Sequence, residues 1–181
     1  KTEESVPKFK KLISYTTNVK IRANMIELLV RTCRINNDRV AFLDVFHYIL
    51  EKHWNDHIMV HESFLQEVSK PFCIAQLGHK HWELLNKFLC FFKLQKRNYF
   101  TTYILIEYVK YCLNNNLPIQ SSLEELVESN YYTYNICTKN PIYEKICLKA
   151  FLEILTSYEG EEFYKCINYV QSLSNWNKRH P

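Results

Sequence analysis

Only two glycines, Gly78 and Gly160, occur in 181 residues, where average usage would supply about 12. Glycine is the residue that tolerates positive φ and lets a backbone approach a phosphate closely. A chain almost without it has few means of making tight β-hairpins, and the glycine fingerprints of dinucleotide-binding and P-loop proteins are absent. Sandwiches, Rossmann folds and P-loop enzymes are therefore disfavoured. What such a chain builds readily is helix.

The apolar residues recur with helical spacing. Ile21, Met25, Leu28, Leu29 and Cys33 mark one face of a first helix, and Phe42, Val45, Phe46, Ile49 and Leu50 mark a second. Trp82, Leu85, Phe88, Leu89 and Phe92 pair in the same way with Phe100, Tyr103, Ile104, Tyr108 and Tyr111. A third pair combines Ile146, Ala150, Phe151, Ile154 and Leu155 with Phe163, Ile167, Val170 and Leu173. The three hairpins, near 19–54, 80–115 and 142–175, repeat at about 61 residues, a recurrence of the kind found in stacked helical architectures.

Punctuation agrees with the periodicity. Asn36-Asn37-Asp38 forms the first turn, with Asp38 capping the helix that follows. Asn140-Pro141 starts the third hairpin with an N-cap and a proline at the first helical position, and Gly160 permits its reversal. A short helix is expected over 7–14 before the first hairpin. The connectors hold another around 62–69, stopped by Pro71, and one near 122–129, opened by overlapping capping boxes in Ser121-Ser122-Leu123-Glu124-Glu125. The expectation is an all-α fold of about 8–9 helices without β-sheet. Its hairpins stack as a short α-solenoid or irregular bundle in a single domain over 1–181.

Hydrophobic residues make up 47% of the chain, enough for a core. The net charge of +4 is short of a dedicated DNA-binding domain. Seven cysteines, odd in number and without a CxxC pair, lie mostly in apolar stretches. Free buried thiols of that kind suit an intracellular setting, cytoplasmic or nuclear. No apolar run reaches the ~18 residues a membrane span needs. The chain opens on Lys1 without a signal-peptide pattern, and reads as a domain of a longer polypeptide.

Residues 22–57 resemble one pentatricopeptide or tetratricopeptide repeat. The segment over 22–34 is similar to the first helix of such a unit and that over 40–52 to the second, and the total of about 35 residues matches the period. The resemblance implies a stacked helical fold. It also implies single-stranded RNA as ligand if the likeness is to pentatricopeptide arrays, and peptides if it is to tetratricopeptide arrays. The next hairpin starts some 25 residues later than contiguous stacking would place it, so no base-reading residues are carried over.

Few constellations suggest chemistry. His53, His57 and His61 are spaced as i, i+4 ligands would be on one helix, but Asn55-Asp56 breaks that helix and no HExxH motif occurs. Cys73 with His79 or His81 has the residue types of a nucleophile and base, without a recognisable orienting group or oxyanion loop. Clustered glutamates at 124, 125 and 128 and at 159, 161 and 162 suit helix starts. No catalytic residue, metal site or cofactor is implied. Two surface candidates stand out. Tyr131, Tyr132 and Tyr134 fall in a loop, where tyrosines either anchor a partner or close the core. Lys93, Lys96 and Arg97 form a basic hairpin tip able to meet phosphate or an acidic partner. The sequence thus points to a non-catalytic scaffold binding a helix or peptide of a protein partner, with RNA as the alternative and no membrane.

Overall fold

A computed structural model describes residues 1–74, 77–93, 99–129, 134–157 and 163–181. These residues form ten α-helices and contain no strand. The helices are α1 (Thr2–Tyr15), α2 (Val19–Ile35), α3 (Arg39–Lys52), α4 (Ile58–Val68), α5 (Pro71–Ile74), α6 (His79–Lys93), α7 (Tyr99–Asn114), α8 (Gln120–Glu128), α9 (Pro141–Thr156) and α10 (Phe163–Arg179). Among the described residues, no helix is long and apolar enough to cross a membrane. The chain, read from its sequence as one domain, separates into two compact units, Lys1–Ile104 and Leu105–Pro181.

In the first unit α2 packs most extensively against α4, with α1 and α3 also against it, and α3 meets α6. Asn18 and Asp38 cap α2 and α3, accepting from the amides of Ile21 and Ala41. The core is aromatic. Phe42, Phe46, Phe64 and Phe88, all buried, meet edge-on in sequence at centroid distances of 4.9, 5.1 and 5.2 Å, the arrangement that places a positive ring edge on a negative ring face. The pattern anticipated α3 and the buried Trp82, Leu85, Phe88 and Leu89 of α6. In α2 it placed the face off by part of a turn. Leu29 and Cys33 are buried as expected, but Ile21 and Leu28 are exposed, and Ala23, Ile26 and Val30 are buried in their place. The leading helix is also longer than 7–14, starting at Thr2, whose hydroxyl donates to Asp38 at 2.5 Å.

The second unit gathers Val109 and Cys112 of α7, Leu123, Leu126 and Val127 of α8, Cys147, Leu148, Phe151 and Ile154 of α9 and Tyr169 of α10 around Tyr134. Asn140 caps α9, accepting from the Tyr143 amide, with Pro141 at the first turn as expected. The capping boxes of 121–125 are not used. α8 begins two residues earlier than expected, at Gln120, its N-cap position is Ile119, and no side chain caps it.

Candidate functional site

The helix α10 carries two different faces. Lys165, Tyr169 and Ser172 are buried and Trp176 partly so, at the 4, 3, 4 spacing of one helix stripe. Tyr169 donates its hydroxyl to the Leu148 carbonyl at 3.2 Å. Turned away from that stripe, Cys166 is exposed, with Ile167 at 52%, Val170 at 62% and Leu173 at 37%. The expectation that Ile167, Val170 and Leu173 face the core is therefore corrected: the helix is rotated so that a more polar stripe goes inward.

Hydrogen bonding explains the rotation. Residues 134–136 approach α10 without regular structure, and their buried backbone needs partners. The Tyr134 amide donates to Ser172 Oγ at 3.1 Å, and the Asn135 side-chain amide donates to the Ser172 carbonyl at 2.9 Å and to Glu144 Oε1 at 3.1 Å. Arg179 pairs with the same carboxylate, which is fully buried in the first turn of α9. Only the Lys165–Tyr169–Ser172 stripe presents the hydroxyl that completes this latch.

Of the loop tyrosines, Tyr131 and Tyr132 lie outside the described residues. Tyr134 is fully buried, its ring 4.6 Å from that of Phe151 and 6.1 Å from that of Tyr169. That ring fills the core of the second unit and offers no surface to a partner. Of the basic tip, Lys93 is the last residue of α6, while Lys96 and Arg97 lie outside the described residues.

A pocket of about 340 Å³ opens in the second unit between the end of α7 and the start of α9, lined by Lys110, Asn114, Thr138, Lys139, Asn140, Tyr143 and Cys137. Cys137 has φ of 62°, the left-handed region that side chains rarely adopt. It shares the core of the second unit with Cys147 of α9. A bond from the Cys147 thiol lowers the Cys137 pKa, burial raises it, and the Lys110 ammonium lowers it further against the opposing charges of Glu107 and Glu144; the balance is downward. Cys147 moves the other way, through its donation to Cys137 and its burial.

The first unit holds two ionic clusters, one half-buried at Asp56 and one around the buried Glu67. Arg22 donates to both oxygens of Asp56, at 2.8 and 2.6 Å, and His53 Nδ1 donates to Asp56 at 2.8 Å, while its Nε2 lies 3.1 Å from the Tyr48 hydroxyl. Burial would raise the Asp56 carboxyl, but the bonds from Arg22, His53 and the His57 amide hold it well below the carboxylate range. Glu67, fully buried on α4, meets Arg34 at 3.0 Å, Arg31 at 3.6 Å and Lys70. Against burial, these cations also hold its pKa down. Both clusters tie helices together: Asp56 is contacted by Arg22 of α2 from 34 residues away, and Glu67 by Arg34 from 33.

The histidine series is broken by the chain reversal that Asn55-Asp56 forecast. His53 ends α3, His57 caps α4, and His61 lies inside α4, its Nε2 donating to the His53 carbonyl at 2.7 Å. Among the described residues, no group of three or more His, Cys, Asp or Glu side chains is placed to hold a metal ion. His81 accepts from the Gly78 amide at 3.3 Å and donates to the Arg39 carbonyl at 3.2 Å. Burial pushes the Cys73 thiol up to about 12. The thiol is thus an inert neutral group at physiological pH. The Cys137–Cys147 pair was missed by sequence reasoning, since the two lie ten positions apart across a helix cap and form no recognised motif. No protein-family model, curated protein or solved structure matches the chain.

Proposed function

We propose that this chain is a non-catalytic helical scaffold that binds a helix of a protein partner within a larger complex, using the exposed face of α10. The observation that carries the reading is the apolar stripe Cys166, Val170 and Leu173, at i, i+4 and i+7, flanked by Ile167. That spacing is the seam against which a second amphipathic helix packs. Contiguous exposed apolar side chains are uncommon on a monomer surface without such a use. Ile142 and Ile146, exposed four residues apart on α9, extend the apolar surface of the same unit.

Single-stranded RNA binding is the alternative, with the basic tip as its candidate contact. The test compares wild type with an Ile167→Lys/Val170→Lys variant as baits in extract from the source cells, alongside a titration of labelled single-stranded RNA at physiological salt. The reading expects a protein retained by wild type and lost by the variant, with unchanged far-UV circular dichroism and no micromolar RNA binding. Identical recovery by both baits would overturn the stripe as the contact. RNA binding that survives physiological salt and ignores the stripe would overturn the reading in favour of the alternative.

A further inference from the structure

We propose that Cys137 and Cys147 form a redox site in which Cys137 reacts with a small hydroperoxide in the adjoining pocket and Cys147 resolves the product to a disulfide. Three observations converge on Cys137. It lines a cavity of about 340 Å³, ample for hydrogen peroxide or a short alkyl hydroperoxide. It holds a left-handed φ of 62°. The other described non-glycine residues at positive φ, Asn37 and Asn116, are of the type that tolerates it; a cysteine there is held by its surroundings, and strain of that kind clusters at functional positions. Lastly, it shares the core cluster of the second unit with another thiol, Cys147, which is fully buried on α9.

The environment separates the roles. Lys110 of α7, which lines the pocket and is paired with Glu107 at 2.5 Å, and the Cys147 S–H both favour negative charge on Cys137, opposed by Glu107 and Glu144. Cys147 is shielded from the pocket and retains its proton until Cys137 has reacted. The Cys137 thiolate attacks the terminal oxygen of the hydroperoxide, an S–O bond forming as the O–O bond breaks, and the released alkoxide takes up the proton that Cys137 gave up. Cys147 sulfur then attacks the sulfenic sulfur, the S–S bond forming as the S–O bond breaks. Water leaves with the Cys147 proton. Two thiols are oxidised by two electrons while one hydroperoxide becomes one alcohol and one water.

The test needs no substitution. The full chain is treated natively with a small excess of hydrogen peroxide, quenched by alkylation and mapped by mass spectrometry. The expected product is a Cys137–Cys147 disulfide, formed while Cys33 and Cys73, whose thiols are pushed up to about 12, stay reduced. A Cys147→Ser variant should stop at the sulfenic acid, trapped by dimedone on Cys137. Lys110→Gln should slow the first step several-fold without altering its product. Exposed Cys166 controls for accessibility. The proposal is overturned if oxidation bypasses Cys137 in the native chain, or if Cys137 reacts but its sulfenic acid persists in wild type.

Discussion

Tyr169 and Val170 are neighbours in one helix, and the fold assigns them opposite energetic weights. Tyr169 is 7% exposed and Val170 62%. Replacing Tyr169 by alanine empties the space its ring fills, a change that costs about 3–5 kcal/mol for a large aromatic side chain. It also removes the hydroxyl bond to Leu148, worth about 1 kcal/mol net, so a loss of about 4–6 kcal/mol is expected. Full burial of a valine is worth about 1.5 kcal/mol, and Val170 realises only part of that. Val170→Ala forfeits about 0.5 kcal/mol of burial, and the better helix propensity of alanine returns about as much. The measurement is urea unfolding followed by far-UV circular dichroism. With a slope of about 1–3 kcal/mol/M, Tyr169→Ala should lower the midpoint by more than about 1 M and Val170→Ala should leave it unchanged. The helical pattern of the sequence alone would put Val170 inward. If Val170→Ala proves the more damaging of the two, the rotation of α10 described above is refuted, and with it the contact surface proposed for a partner.

Two further outcomes follow from the ionic clusters and the caps. Asp56, Glu67 and Asp38 all have carboxyls held below their ordinary values; a depressed folded pKa contributes stability above the unfolded value of about 4 and loses it as pH falls through the folded one. Stability should therefore fall below about pH 4, after an earlier and smaller loss below about pH 6.5 from His81, whose pKa burial lowers, with a shallower acid fall in Asp56→Asn, measured by urea midpoints across pH; an unchanged slope would remove Asp56 from the account. Asn140→Ala, which deletes the side-chain bond to the Tyr143 amide, should cost about 1 kcal/mol by the same unfolding assay, and Asn140→Asp should recover most of it.

What the sequence revealed and what it hid divide along a physical line. The caps at Asp38 and Asn140, unlike the one expected at 121–125, were legible because their chemistry is local: each bonds an amide three residues on. The fold class was legible for the same reason, since helical spacing and missing glycine act within a few residues. Helix rotation was not. The helix α2 has apolar residues on several faces, so Ile21 and Leu28 competed with Ile26 and Val30 in the pattern. In α10 the inward stripe contains Lys165 and Ser172, residues that a hydrophobicity count sends outward. Their burial is decided by Tyr134 and Asn135, which need hydrogen-bond partners. Glu67 is hidden in the same sense, because its burial depends on arginines 33 and 36 positions upstream. Of the candidate site, nothing in the spacing joined Cys137 to Cys147. The same rotation that misled the pattern is what leaves Ile167 and Val170 exposed.

The latch on residues 134–136 also imposes an order on biosynthesis. Asn135 waits for Ser172, made 37 residues later, and Glu144 waits for Arg179, made 35 residues later. At translation rates of about 5–20 residues per second, each waits roughly 2–7 s on the ribosome before its partner exists. During that interval the Glu144 carboxylate, buried in the finished unit, stays hydrated. A chain released between residues 155 and 171 would therefore carry apolar Phe151 and Ile154 without the Ser172 and Arg179 that complete the latch, a species for chaperones to recognise.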